Sequence, residues 1–120
     1  MQGTILVFSN DQMLLMTRRM LFENAGYTVF TAESVSNVML VLMNHEIDIL
    51  LLCQSVQLHE RERVLEIARA LQPKAKCASL GLGDGTAVYG VHTLECFMNP
   101  PALLAVIEKI ITQKEPVPIN

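Results

Sequence analysis

The sequence predicts an α/β domain built on a parallel β-sheet, and three observations support that class. Short apolar, β-branched segments alternate five times along the chain with segments that mostly repeat apolar residues at helical spacing. The strand segments show almost no apolar–polar alternation, as expected of strands that helices cover on both faces. With 120 residues, 51% of them hydrophobic, the chain can bury one core of common size.

Each element has start and stop signals in the sequence. The predicted strands are residues 4–8, 27–31, 48–53, 76–80 and 94–98. The predicted helices are 10–26, 33–45, 58–73 and 100–114, with a short helix at 84–90 in a glycine-rich segment. Asn10 or Asp11 can cap the first helix, and Gly26 can end it. Pro73 ends the third helix, and Pro101 suits the first turn of the last one.

Helical spacing predicts which side of each helix faces the core. The predicted inner stripes are Met13, Leu14, Met20 and Leu21; Val35, Val38, Met39 and Leu42; Val64, Ile67, Ala68 and Leu71; and Leu103, Val106, Ile107 and Ile110. Arg18 and Arg19 are predicted to face solvent. Leu40 and Val41 are also predicted to face outward, where they form a candidate partner face, although scattered exposed apolar residues are an equally good interpretation.

The connections between elements favour one topology. Right-handed crossovers and short loops predict a flavodoxin-like five-stranded parallel sheet of order 2-1-3-4-5, with helices on both faces. In that order, ligands bind beyond the carboxyl ends of strands 1 and 3. Ser9, Asn10 and Asp11 follow strand 1, and Cys53 ends strand 3. The domain is predicted to cover residues 1–114, with a loose C-terminal tail at 115–120.

Composition excludes several classes of function. Nine Lys and Arg residues against twelve acids, with a net charge of -3, do not suggest a nucleic-acid-binding surface. No apolar run is long enough to span a membrane and no signal peptide is visible, so a cytoplasmic protein is expected. The cysteines and histidines lack metal-ligand spacing, so no metal site is predicted. The charged run HERER (59–63) suggests a solvated helix face.

Four segments carry a resemblance to a known family. They are ILVFSND, AGYTVFTAES, DILLLC and CFMNPPALLAVIEKI, and they resemble the response-regulator receiver domain of two-component signalling, over residues 4 to about 112. The resemblance implies that Ser9 and Asn10 stand where the family has its magnesium-binding acid pair. Asp11 matches an acid often found third. Cys53 stands at the position of the phosphorylated aspartate.

The resemblance also covers the last two strand ends. It implies that Gly81 replaces the family's Thr or Ser that contacts the phosphoryl group, with Ser79 as an alternative one slip away. Asn99 replaces the family's lysine. The family's matching peptide bond before proline is commonly cis, so the bond before Pro100 is predicted to be cis.

These departures predict a receiver-like module that cannot be phosphorylated and is not an enzyme. Acyl phosphate formation needs a carboxylate, and magnesium needs hard oxygen ligands, so Mg²⁺ binding is expected to be weak or absent and no cofactor is expected. The expected partner is a histidine kinase, another regulator or a second copy of the chain. Three alternatives remain open at this point: a thiol redox sensor centred on Cys53, a nucleotide-binding domain, and a working receiver that uses Asp11 or Asp48.

Overall fold

The computed structural model describes residues 3–53, 56–81, 91–95 and 99–112. The elements are β1 (Thr4–Phe8), α1 (Gln12–Asn24), β2 (Thr28–Ala32), α2 (Val35–Asn44), β3 (Ile49–Leu52), α3 (Leu58–Leu71), β4 (Lys76–Gly81), β5 (Val91–Glu95) and α4 (Pro100–Thr112). The helix predicted at 84–90 and the tail at 115–120 lie outside these residues. Within the same ranges, no helix is long and apolar enough to cross a membrane.

The strands form a parallel sheet in the order β2-β1-β3-β4-β5. The predicted order of the first four strands is confirmed. Phe8 of β1 lies beside Leu52 of β3, so these two strands end at the same edge of the sheet. The Cys53 N–H donates to the Phe8 carbonyl at 3.0 Å, which places Cys53 directly next to the end of β1.

Helices cover both faces of the sheet, as predicted. Alternate residues of β1 and β3, including Ile5, Val7 and Cys53, pack in one core with residues of α1 and α4. Leu6 and Phe8 point to the other core, which contains residues of α2 and α3. Residues 5–8 are all fully buried. Burial on both faces explains why the strand segments lack apolar–polar alternation.

The inner face of α1 differs from the prediction. Met13 and Met20 are 72% and 58% exposed, whereas Leu15 and Phe22 are buried. Leu14 and Leu21 of the predicted stripe are half-buried, and Leu21 packs against the core, so spacing alone placed the stripe partly on the wrong side of the helix. Arg18 lies between Leu15 and Phe22 at helical spacing and is half-buried, so its predicted exposure is also wrong.

The outer faces of α2 and α3 need smaller corrections. Leu40 is 54% exposed, as predicted, but Val41 is half-buried and packs against the core between α2, α3 and the sheet. Met39 and Leu71, predicted to face the core, are 40% and 44% exposed. In α4, Leu103, Ile107 and Ile110 are buried and Val106 is half-buried, which confirms the predicted stripe.

The last helix begins at Pro100, as predicted, but the chain before it differs from the prediction. β5 covers 91–95, so the predicted strand at 94–98 begins three residues too late, and 96–98 lie outside the described residues. No peptide bond is cis within the described ranges, which include Asn99 and Pro100, so the predicted cis bond is wrong in this structure. The physical reason is that trans is the more stable isomer of a bond before proline, and a proline that opens a helix, as Pro100 opens α4, needs no cis bond.

Candidate functional site

The corner between β1 and α1 holds three of the six residues predicted to line the pocket. Ser9 is fully buried, and its Oγ accepts the Asp11 N–H at 3.0 Å. Asp11 caps α1, because its Oδ1 accepts the N–H groups of Met13 at 2.9 Å and Leu14 at 3.4 Å. Asp11, the one acid of the predicted site, is therefore the N-terminal cap of α1.

Asn10 joins this corner to another element. Its side chain is exposed, and Nδ2 donates to Glu60 Oε1 in the first turn of α3 at 2.9 Å. The amide therefore links the loop after β1 to the first turn of α3. Sequence reasoning placed Asn10 in the pocket but gave no reason to expect this bridge.

Cys53 is the first residue after β3, and its side chain is fully buried in the core beside α1. Burial raises the pKa of its thiol to about 11, although Arg18 and Arg61 act in the opposite direction. The thiol is therefore neutral and shielded from solvent. A reactive cysteine needs a low pKa and some exposure, so this environment argues against the redox-sensor alternative.

Arg18 reaches the same point from α1. Its guanidinium lies close enough to Cys53 to act on the thiol, whose pKa it lowers against the larger effect of burial. Its Nε is buried and has no hydrogen-bond acceptor among the described residues. Sequence reasoning missed Arg18 because the helix was assigned the wrong inner side. The available signal was its position three residues after Leu15 and four before Phe22.

Arg61 reaches the pocket from α3, on the opposite face of the sheet. Its Nε donates to the Val56 carbonyl at 3.1 Å, and Nη1 donates to Ser79 Oγ at 2.8 Å. Nη2 donates to the carbonyls of Cys53 at 3.4 Å and Leu80 at 3.3 Å. All three nitrogens are thus bonded, and Arg61 ties the end of β3 to the end of β4.

We call Arg18, Cys53, Arg61 and Ser79 the arginine pocket. These residues lie at the carboxyl ends of the strands, the edge of the sheet at which the sequence predicts the site. Ser79 supplies the hydroxyl of β4, since Gly81 is the last residue of that strand and has none. The run HERER (59–63) was interpreted as solvated, but one of its arginines fills this pocket.

The remaining candidates lie elsewhere. The Asn99 side-chain oxygen accepts the Ala102 N–H at 2.9 Å, and its carbonyl accepts the Leu103 N–H at 2.9 Å, so Asn99 caps α4. Asp48 lies at the amino end of β3, where its Oδ2 accepts the Thr4 N–H at 2.8 Å. It is therefore at the wrong end of the strand to serve a pocket at the carboxyl ends.

The residues present do not fit the magnesium ion that the resemblance implies for a working receiver. Magnesium takes hard oxygen ligands, usually carboxylates. Asp11 is bonded to two backbone N–H groups, a neutral thiol holds the next position, and two guanidinium groups lie beside it. Among the described residues, no three acidic, histidine or cysteine side chains come together as a metal site would require.

Comparisons with known proteins define the fold. No protein-family model matches the chain, and no curated protein matches it. The CheY-like response regulator receiver domain protein from Methanospirillum hungatei JF-1 superimposes with a TM-score of 0.78 at 21% identity, covering 92% of this chain and 94% of that one. The receiver domain of the hybrid histidine kinase CckA gives 0.78 at 17% identity, covering 92% and 100%.

A third solved structure is equally similar. The non-phosphorylated HemR receiver domain from Leptospira biflexa gives a TM-score of 0.79 at 15% identity, covering 97% of this chain and 99% of that one. These similarities extend over nearly the whole of each chain. The protein therefore has the flavodoxin-like fold of CheY-type receiver domains.

Proposed function

We propose that this chain is a receiver-like signalling module of a two-component, phosphorelay-type system that is not phosphorylated and acts through protein contacts. Its partner is a histidine kinase, another regulator or a second copy of the chain. One observation carries the proposal: Cys53, at the position that the sequence resemblance gives to the phosphorylated aspartate, is a buried neutral thiol. A thiol cannot form the acyl phosphate on which a receiver depends.

The surrounding charges support the same conclusion. The family's pocket gathers carboxylates and neutralises them with a bound cation, whereas here the cations belong to the protein. Arg61 is already bonded to both strand ends, so no metal is needed to hold them together. Two like charges about 4 Å apart repel by about 4 kcal/mol at an effective dielectric constant near 20. Removing the acid pair relieves that repulsion and removes the phosphorylation chemistry with it.

Exposed apolar side chains support action through contacts. Leu40 is 54% exposed on α2, and Met39 and Met43 beside it are 40% and 63% exposed. Methionine is common on surfaces that bind partners because its flexible side chain adapts to the partner's shape. Within the proposal, Leu40 with these methionines is the partner face. Val41 is excluded from it because it packs inward.

The test is the intact mass of the protein after incubation with Mg²⁺ and a small acyl phosphate donor. The proposal predicts no phosphoryl adduct on the wild-type chain. The matched variants are Asp11→Asn and Asp48→Asn, each of which removes one candidate acid. An adduct on the wild type that Asp11→Asn abolishes would show a working receiver with a rearranged pocket.

A further inference from the structure

An open cavity lies at the amino ends of the strands, at the edge of the sheet opposite the arginine pocket. We call it the amino-edge cavity, and its walls are the loop between α2 and β3, the loop between α3 and β4, and the end of α4. Its volume is about 590 Å³. Cavities that hold ligands in proteins measure about 300–1,000 Å³, so this one has room for a short peptide segment.

The lining of this cavity is partly apolar and partly open to solvent. Its apolar side chains come from three segments of the chain: Leu42, Met43, Ile47 and Ile111. Leu42 and Ile47 are buried and Ile111 is half-buried, whereas Met43 is 63% exposed at the rim. An apolar segment that entered the cavity would therefore remove apolar surface of both partners from water.

Lys76 holds the end of α4 against the cavity. Its Nζ donates to the carbonyls of Ile110 at 2.7 Å and Ile111 at 3.3 Å, which are among the last carbonyls of the helix. Lys76 and Ile111 both line the cavity. Because α4 ends at Thr112, the chain leaves the helix directly beside this cavity.

The segment that follows α4 in the sequence suits the cavity. Residues 113–120, which lie outside the described residues, read QKEPVPIN, with the apolar run PVPI at 116–119. The two prolines have a fixed φ and no N–H, so burying this run costs less entropy and leaves fewer backbone donors unpaired. Val117 is five residues beyond Thr112, so at about 3.3 Å per residue it can reach any point within about 17 Å of the helix end.

The charges on the two sides are also complementary. The cavity has acids at Glu46 and Asp48 and a second lysine, the exposed Lys74, on its walls. The segment begins with one residue of each sign, Lys114 and Glu115. Each of these two therefore finds an opposite charge on the cavity walls.

We propose that the amino-edge cavity is the docking site of the chain's own residues 113–120, with Val117 and Ile119 against its apolar lining. A short tether gives a segment an effective concentration on the order of millimolar, so contacts with a dissociation constant below that value keep it docked. Docking is non-covalent, so no bond forms or breaks. The inference goes beyond the proposed function, because it holds whether or not the chain is phosphorylated. Met43 also belongs to the partner face, so the docked segment covers one of its three residues.

The test measures the backbone order of the segment in the full chain by ¹⁵N nuclear magnetic resonance relaxation. Val117→Asp combined with Ile119→Asp places charges against the apolar lining, and Val117→Ile combined with Ile119→Val is the matched control that keeps the segment apolar. On the cavity side, Met43→Glu is compared with Met13→Glu. Met13 is exposed on α1, on the other face of the sheet, so neither methionine substitution disturbs the core.

The expected wild-type order parameters at the Val117 and Ile119 amides match those of α4, about 0.85. They should fall below about 0.6 in the double aspartate variant and in Met43→Glu, and stay at the wild-type value in both controls. The double aspartate variant should also shift the amide signals of Ile47, Gln72 and Lys76, which line the cavity. The apolar control should leave those signals in place.

Three outcomes overturn the proposal. Order parameters in the wild type no higher than in the double aspartate variant would show the loose tail that the sequence predicts. An ordered segment whose substitution leaves the cavity amides unmoved would show that it docks elsewhere. Order that is lost as the protein is diluted would identify the segment of a second copy as the occupant. None of these outcomes affects the proposed function, which is tested separately by the absence of a phosphoryl adduct.

Discussion

Half-buried polar side chains have different hydrogen-bond partners at the two ends of the sheet. At the amino ends of the strands, polar side chains are bonded to the backbone. Gln72 donates to the carbonyls of Leu42 and His45 at 2.8 and 2.6 Å and accepts the Ile47 N–H at 2.8 Å. Lys76 donates to the Ile110 carbonyl at the end of α4 at 2.7 Å. These side chains hold loops and helix ends in place.

At the carboxyl ends, two arginines meet and differ from each other. Arg61 resembles the side chains of the amino end, because each of its nitrogens donates to a protein oxygen. Arg18 instead keeps a buried Nε with no acceptor among the described residues. Gln72, Lys76 and Arg61 therefore have hydrogen-bond partners within the fold, whereas the Nε of Arg18 has none among the described residues. The unexplained group lies at the edge where proteins of this fold class bind ligands.

The largest expected effect is at Arg61. Arg61→Met removes the donors to Val56, Cys53, Leu80 and Ser79, and it leaves Ser79 Oγ buried, so we expect a loss of about 3 kcal/mol in the free energy of unfolding. The control is Arg63→Met, since Arg63 is exposed on the same helix. Its effect should stay within about 0.5 kcal/mol. Urea unfolding measures both, and equal effects would show that the bonds of Arg61 do not stabilise the fold.

Gln72 is expected to show the next largest effect. Gln72→Ala leaves three backbone groups without their partner and should cost about 2 kcal/mol. Gln57→Ala is the matched control, because Gln57 precedes α3 and makes no side-chain capping bond. Urea unfolding of the two variants should therefore separate them clearly. A cost for Gln57→Ala as large as that for Gln72→Ala would contradict the role of these bonds.

The pH dependence of stability tests the burial of Cys53. Its pKa is raised from 9.0 to about 11 by burial, so the unfolded chain loses this proton at a lower pH than the folded chain does. The stabilisation is complete below pH 9 and is lost as the pH rises towards about 11. Cys53→Ala should therefore flatten the alkaline decline measured by urea unfolding at successive pH values. An unchanged decline would show that the thiol is not the group responsible.

Arg18 should give the smallest change. Arg18→Met removes a buried unpaired donor and fills its space with an apolar chain, so stability should change by less than about 1 kcal/mol or rise. Urea unfolding of Arg18→Met and Arg61→Met compares the changes in the free energy of unfolding directly. A loss as large as that of Arg61→Met would mean that the Nε of Arg18 has a partner that contributes to stability.

Much of the fold could be predicted from local patterns. Continuous apolar segments identified the first four strands, and Asp11 and Asn99 are residues of the type that cap helices. The fifth strand was harder, because its first residues, Val91 to Thr93, are identified by their pairing with β4 and not by their own sequence. That register depends on contacts between distant segments, which the local sequence does not encode.

The site was predicted less completely, for two physical reasons. The edge of the sheet follows from strand order, so Ser9 and Cys53 were expected at the neighbouring ends of β1 and β3, where the structure has them. Arg18 and Arg61 were not predicted as part of the site. Each reaches it through a long side chain from a helix, and the sequence alone did not show that this side chain points towards the sheet. A one-residue change of helical phase moves a side chain by about 100°, which decides whether an arginine faces solvent or the core.

A magnesium titration tests the central claim that the protein's own arginines replace the bound cation. The backbone amide signals of Ser9, Asp11, Cys53 and Ser79 would be followed by nuclear magnetic resonance in the wild type and in Asp11→Ala. We predict no saturable shift at these amides as Mg²⁺ is added. Saturable shifts at several of them, lost in Asp11→Ala, would show a working metal site and contradict the account.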